Sequence, residues 1–134
     1  MADSEFILER DGTRLRLHTP RDPHGDGYIM QYECDLTEAG LHAVVTVTDQ
    51  RPSGFIQFFA GMETQWRGWE GVISADSLEH NLSIEATRDG IGHVILKIIV
   101  RSNPYEGFRV ETSMVLDAGD LERLAKSAKN FLTL

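Results

Sequence analysis

The sequence predicts an α+β domain built as a single curled, mainly antiparallel β-sheet of about seven strands with two helices, in the order ββββ-α-βββ-α. Three observations predict this fold class. Apolar and polar residues alternate along seven segments, as expected for half-buried strands. Two other segments, one near the middle and one at the end, place apolar residues at helical spacing. The strands come in runs and do not alternate singly with helices, which disfavours a doubly wound parallel sheet.

Composition limits the classes of protein that fit. The 134 residues suit a single domain over residues 1–134, and the 41% hydrophobic and 25% charged content is ordinary for a globular protein. A net charge of −8 repels phosphate backbones and anionic lipids, so we expect no nucleic-acid partner, no membrane partner and, if any, a basic protein partner. Cys34 is the one cysteine, which excludes an internal disulfide. The first residues have no apolar signal segment, so we expect a cytoplasmic protein.

The first four predicted strands form two hairpins. The first hairpin turns at Arg10-Asp11-Gly12, where glycine accepts a positive φ. Residues 20–27 contain two prolines and two glycines, which predicts an exposed loop. The second hairpin pairs a strand from Tyr28 to Leu36 with a strand after Gly40. The predicted inward-facing residues are Phe6, Leu8, Leu15, Leu17, Tyr28, Met30, Tyr32, Cys34, Leu36, Leu41, Ala43, Val45 and Val47.

A short helix follows the break at residues 51–54, with Ser53 as its N-cap. Its apolar stripe is Phe55, Ile56, Phe59 and Met62. Three more strands are predicted at residues 82–87, 93–101 and 108–116, with a second Arg-Asp-Gly turn at residues 88–90. The two similar turns raise the hypothesis of a weak internal duplication.

The C-terminal segment predicts a second helix, with Asp117 as its cap and Asp120 in its first turn. Lys126 and Lys129 near its end suit the negative pole of the helix dipole. The apolar stripe consists of Leu121, Leu124, Ala125, Ala128 and Phe131 or Leu132. We expect one or both helices to cover the concave apolar face of the sheet.

Motifs that carry chemistry are missing from the sequence. The five histidines show no metal-ligand spacing, and the run Asp22-x-His24-x-Asp26 lacks the distal glutamate of calcium loops, so a solvated turn explains it better. There is no nucleophile elbow and no phosphate-binding glycine loop. We therefore predict no catalytic residues, no cofactor and no metal site, and a protein that is not an enzyme.

Two segments are candidate interaction sites. Residues 66–71 gather both tryptophans with an ion pair, so Trp66, Arg67, Trp69 and Glu70 form a candidate recognition surface. The alternative is that the tryptophans plug the edge of the sheet. In the strand 93–101, Ile95 and Ile99 add apolar area to a second face, which predicts a central strand covered on both sides. That cover is either a helix or a second copy of the chain, so His93, Ile95, Lys97 and Ile99 form a candidate dimer strand.

The chain also resembles a known group of proteins. The runs Trp66-Arg67-Gly68-Trp69-Glu70-Gly71 and Asp89-Gly90-x-Gly92-His93-Val94, with the closing residues 116–125, resemble an uncharacterised bacterial domain-of-unknown-function family of small acidic proteins. The resemblance covers residues 55–132 well and the first strands loosely, and it implies no activity. More distantly, strands followed by a leucine-rich terminal helix are similar in layout to immunity proteins that neutralise polymorphic secreted toxins.

Three functional hypotheses follow. The first is a non-enzymatic binding protein of the immunity type, whose acidic surface engages a basic toxin. The second is a small-molecule-binding protein or enzyme with a pocket beside residues 66–71. The third is a structural homodimer that uses the strand 93–101.

Overall fold

The computed structural model describes residues 3–65 and 69–133. Over these residues the chain forms eight strands and two helices in the order ββββ-α-ββββ-α, so the predicted α+β class is confirmed. The strands are β1 (Glu5–Arg10), β2 (Thr13–Arg21), β3 (Gln31–Glu38), β4 (Leu41–Thr48), β5 (Ile73–Asp76), β6 (Leu82–Arg88), β7 (His93–Arg101) and β8 (Arg109–Asp117). The helices are α1 (Gly54–Thr64) and α2 (Leu121–Leu132). Neither helix has the length and apolar character needed to cross a membrane.

The strands form two antiparallel sheets, with the orders β1-β2-β3-β4 and β5-β6-β7-β8. The prediction of a single sheet is therefore corrected to two. The sheets meet where the backbone N–H of Leu78, after β5, donates to the carbonyl of Thr48 at the end of β4 (3.0 Å). Alternation in a sequence shows which way a side chain faces but not which strand edges pair, so the number of sheets does not follow from it.

The strand missing from the prediction is β5. It has four residues and pairs with β6 through Ile73 opposite Ala86. Ile73 and Ala75 are half-buried, whereas Ser74 and Asp76 are exposed. Four residues are too few for a period of two to stand out, so pairing with β6 rather than local sequence defines this strand.

A single core joins the two sheets and the two helices. Helix α1 packs against α2 and lies beside β5, while α2 lies beside β1. Aromatic pairs link the first sheet to both helices: the Phe6 and Phe59 ring centres are 5.4 Å apart, and those of Tyr32 and Phe131 are 5.6 Å apart in an edge-on arrangement. Aromatic rings thus contribute to the contacts by which both helices cover the first sheet.

The strand predicted to start at Tyr28 starts three residues later, at Gln31. Tyr28, predicted to face inward, is 39% exposed, whereas its neighbour Ile29 is buried. The backbone N–H of Ile29 donates to the carbonyl of Leu132 (3.1 Å), so the end of α2 fixes this segment and breaks the alternation. The predicted loop is also shorter, because β2 continues to Arg21.

Both helices begin near their predicted caps. Ser53 caps α1, since its hydroxyl accepts a hydrogen bond from the backbone N–H of Phe55 (3.1 Å). Asp117 precedes a short 3₁₀ turn over residues 118–120, and α2 itself begins at Leu121. The buried residues of α2 include Leu121, Leu124, Ala128, Phe131 and Leu132, as the stripe predicts.

Each half of the chain repeats the plan of four strands and a helix. The Arg-Asp-Gly turns do not mark that repeat, because the first joins β1 to β2 and the second joins β6 to β7, which is the second connection of its half. The element order, and not these turns, is what supports a duplication.

Candidate functional site

The predicted recognition segment is described only in part, because Trp66 and Arg67 lie outside the described residues. Trp69 is half-buried and packs against the core, and the guanidinium carbon of Arg88 lies 5.6 Å from its ring centre. Its indole N–H is buried and has no acceptor among the described residues. Glu70 is exposed. The role of this segment in recognition stays a prediction.

The pocket hypothesis concerns the same region. A depression lined by residues close in sequence to residues 66–71 lies between α1 and β5. Its lining includes Gly61, Gln65 and Ile73. Within the described residues, Trp69 is not part of that lining. A ligand pocket beside the tryptophans therefore also stays a prediction.

The predicted dimer strand is central in its sheet, because β7 pairs with β6 on one side and β8 on the other. Its backbone cannot pair edge to edge with a second copy, so a dimer would have to use its outward side chains. Of these, Ile99 is 5% exposed and Ile95 is half-buried. Lys97 forms an ion pair with Glu85 on β6 (3.2 Å). The role of this strand in a dimer stays a prediction.

His93 belongs to a cluster of polar side chains between the β1–β2 turn and the β6–β7 turn. Its Nδ1 is 2.7 Å from Asp89, and its Nε2 is 3.6 Å from Asp117. Asp117 also pairs with Arg10 (3.1 Å). A histidine that serves as a general base needs a free ring nitrogen facing a nucleophile, yet both ring nitrogens here face carboxylates. The cluster connects the β1–β2 turn, the β6–β7 turn and the end of β8.

The carboxylates of two loops accept hydrogen bonds from the backbone. Asp22 accepts N–H groups from Gly27 (3.0 Å) and Asp26 (3.3 Å), which lowers its pKa. Asp89 accepts from Ile91 (2.8 Å), and this bond, with the contact to His93, lowers the pKa of Asp89. The described residues contain no group of three histidine, cysteine or acidic side chains placed to hold a metal ion. Through its two backbone hydrogen bonds, Asp22 stabilises the loop between β2 and β3.

Asp49 is an acidic residue with no exposed surface. Its Oδ2 accepts from the hydroxyls of Tyr32 (2.7 Å) and Ser53 (2.6 Å), and its Oδ1 accepts from the backbone N–H of Gln50 (2.9 Å). Burial raises its pKa. These bonds tie β3 to the start of α1, so Asp49 stabilises a junction. Asp49 was not predicted from the sequence, although an acid four residues before a capping serine is a usable signal.

The charged surface is unevenly compensated. Eight of the basic side chains pair with carboxylates, namely Arg10, Arg14, Arg16, Arg21, Arg51, Lys97, Arg109 and Arg123. In contrast, Glu79, Glu106 and Glu122 are exposed and have no cationic partner within the described ranges. The chain has 21 acidic and 13 basic residues. Most basic side chains are therefore paired with carboxylates, while some carboxylates have no basic side chain to pair with.

Three depressions that share lining residues lie along β4, the start of β8 and the loop between β7 and β8. The first lies between the two strands and includes Val44 and Phe108. The second follows the loop between β7 and β8 and includes Phe108 and Tyr105. The third includes Tyr105 and Asp76. We call these three depressions together the β4–β8 groove.

A family model matches residues 7–134 of the chain. The chain belongs to DUF6228, a family of unknown function. Membership in a domain-of-unknown-function family, inferred from the residues around the tryptophans and the closing helix, is thereby confirmed. The DUF6228 match also takes in the first four strands, which the motifs resemble only loosely. No curated protein and no solved structure matches the chain.

Proposed function

We propose that this DUF6228 chain is a non-enzymatic binding protein of the immunity type, whose acidic surface engages and neutralises a basic protein toxin. The observation that carries the proposal is the uneven charge compensation. Within residues 3–65 and 69–133, exposed carboxylates such as Glu79, Glu106 and Glu122 have no cationic partner, in a chain of net charge −8. An uncompensated acidic surface attracts a basic protein, accelerates its association and repels acidic competitors.

The state of the reactive side chains supports the same proposal. The Cys34 thiol is buried, and burial raises its pKa, which makes it a poor nucleophile. The hydrogen bonds of Asp49 and the contacts of His93 hold structural junctions together. These groups therefore have structural roles in the folded chain.

The test is direct binding to purified products of the neighbouring genes, measured by calorimetry at low and at high ionic strength. We expect at least one basic product to bind, with an affinity that falls as salt is added. The triple variant Glu79→Gln, Glu106→Gln, Glu122→Gln should fold normally, because these side chains are exposed, and should bind more weakly. Finding no salt-sensitive protein partner among these products would count against the proposal.

A second candidate is a homodimer through the outer face of β6, β7 and β8. It is favoured by Val115, which is 45% exposed and lies opposite the half-buried Ile95 on that face. Apolar residues on an open sheet face often mark an interface.

This candidate predicts a dimer mass by sedimentation that changes to the monomer mass in Ile95→Glu and in Val115→Glu. Val115→Glu is the cleaner variant, because its side chain is already largely exposed. Val72→Glu is the matched control, since Val72 is 59% exposed and lies outside that sheet. A wild-type chain with the monomer mass excludes the dimer.

A further inference from the structure

We infer that the β4–β8 groove is the docking surface for the basic partner, with Tyr105 and Phe108 as its apolar anchors. This inference rests on the proposed function and adds the place and chemistry of binding. The segment that fits the groove is a stretch of protein surface in which lysine or arginine side chains flank an apolar side chain.

The apolar content of the groove is the first argument. Of the eight large hydrophobic residues exposed among the described part of the chain, three line the groove. They are Val44 (51% exposed), Tyr105 (95%) and Phe108 (41%). Folding gains little from a tyrosine ring that is almost entirely in water, whereas aromatic rings of this kind dominate binding energy at protein interfaces.

The groove is also held in place before any partner arrives. In the β7–β8 loop, the backbone N–H of Phe108 donates to the Ser102 hydroxyl (2.9 Å), and that of Tyr105 donates to the Asn103 side chain (3.0 Å). Gly107 has a φ of +92°, and a Cβ there would collide with the Ser102 hydroxyl. A loop fixed in this way presents Tyr105 with little loss of conformational entropy on binding.

The charges around the groove set the chemistry of the partner. The acids that line these depressions are Asp76 and Glu106, and the guanidinium groups are those of Arg101 and Arg109. Arg109 pairs with Glu111 (2.9 Å), and Arg101 donates to Ser83 (2.9 Å) and to the His80 carbonyl (3.2 Å). With Glu111 included, three carboxylates against two guanidinium groups leave this side net negative. A lysine or arginine can lie on the Tyr105 ring and reach a carboxylate at the same time.

The test uses random dodecapeptides displayed on phage and selected against the full chain. We expect the enriched peptides to combine lysine or arginine with aromatic or aliphatic residues. Synthetic versions should lose affinity by about tenfold or more on Tyr105→Ala and on Phe108→Ser, and should bind Glu106→Lys more weakly. The matched control is Ile91→Ser, which removes a 79% exposed side chain from another surface and should leave affinity unchanged.

The outcomes separate this inference from the proposed function. Peptides that bind Tyr105→Ala and Phe108→Ser as tightly as the wild type overturn the groove as the docking surface, as do enriched peptides that are acidic or the failure of any peptide to bind. If a neighbouring gene product still binds in calorimetry, the proposed function stands and only the place is wrong. Tyr105→Ala must unfold at the wild-type midpoint, which its exposure makes the expected result.

Discussion

Asp49 places a carboxylate without exposed surface beside three donors, the hydroxyls of Tyr32 and Ser53 and the backbone N–H of Gln50. An unpaired buried charge is expensive, and hydrogen bonds to the charged form offset only part of that penalty. The folded chain therefore favours the protonated acid more than the unfolded chain does, which is why the pKa of Asp49 is raised.

The pH dependence of stability follows from that shift. The stabilisation from the Asp49 proton is complete below the ordinary aspartate pKa of about 3.9 and is lost as the pH rises through the raised pKa of the folded state. Asp49→Asn has no proton to lose. The unfolding free energy of the wild type minus that of Asp49→Asn should therefore fall with rising pH across this window and then level off, as measured by urea unfolding. A difference that rises with pH contradicts the assignment.

Single residues were predictable where a strand period is long enough to be seen. Leu15, Cys34 and Leu96 are buried as their alternation predicts. Tyr28, predicted to face inward, is exposed, because the carbonyl of Leu132, more than a hundred residues later, fixes the backbone of the next residue, Ile29. The bond from Tyr32 to Asp49 was not predicted either, since Tyr32 lies 17 residues earlier, on β3, and only the spacing of Asp49 from Ser53 is visible locally.

Ser53 connects the residue level to the element level, because it is both the cap of α1 and a donor to Asp49. The capping bond satisfies an N–H group that the first turn of a helix leaves open. The hydroxyl thus joins the start of the helix to the end of the first sheet.

Ser53→Ala should lower the free energy of unfolding by about 1–2 kcal/mol, since both hydrogen bonds of the hydroxyl are lost. Chemical denaturation followed by circular dichroism measures the change. The matched control is Ser113→Ala, on the exposed face of β8, which should change stability by less than about 0.5 kcal/mol. Equal effects of the two substitutions would show that the cap contributes nothing.

The number and type of the strands and helices were predicted correctly apart from β5. The grouping of the strands into two sheets was not predicted. Local patterns determine α1, α2 and the long strands, because each has at least two periods of apolar residues. Pairing is a property of strands distant in sequence. The candidate sites differ in the same way. The cluster of tryptophans is local and was predicted from the sequence. The β4–β8 groove combines residues from three separate segments, so no local pattern indicates it.

At the level of the whole molecule, the two sheets share a core and should not unfold separately. Leu96 on β7 has no exposed surface, and truncating such a side chain costs about 2–5 kcal/mol. Leu96→Ala should therefore shift one common transition of the entire domain. Far-ultraviolet circular dichroism and tryptophan fluorescence should give the same midpoint, and two separate midpoints would show that the sheets are independent units.

Charge was the one whole-molecule property that the sequence analysis could use for function. It indicated a basic partner but not a place, because ion pairing between distant residues decides which carboxylates remain uncompensated. Arg10 illustrates this, since its partners Asp117 and Asp120 lie at the other end of the chain.

Cys34 has a practical consequence for studying this domain. It is the only thiol in the chain, its side chain faces the core, and burial raises its pKa. A thiol-reactive dye can therefore label the protein only during moments when the interior opens. The rate of labelling in ordinary buffer therefore reports how often the interior opens, and the measurement requires no engineered cysteine.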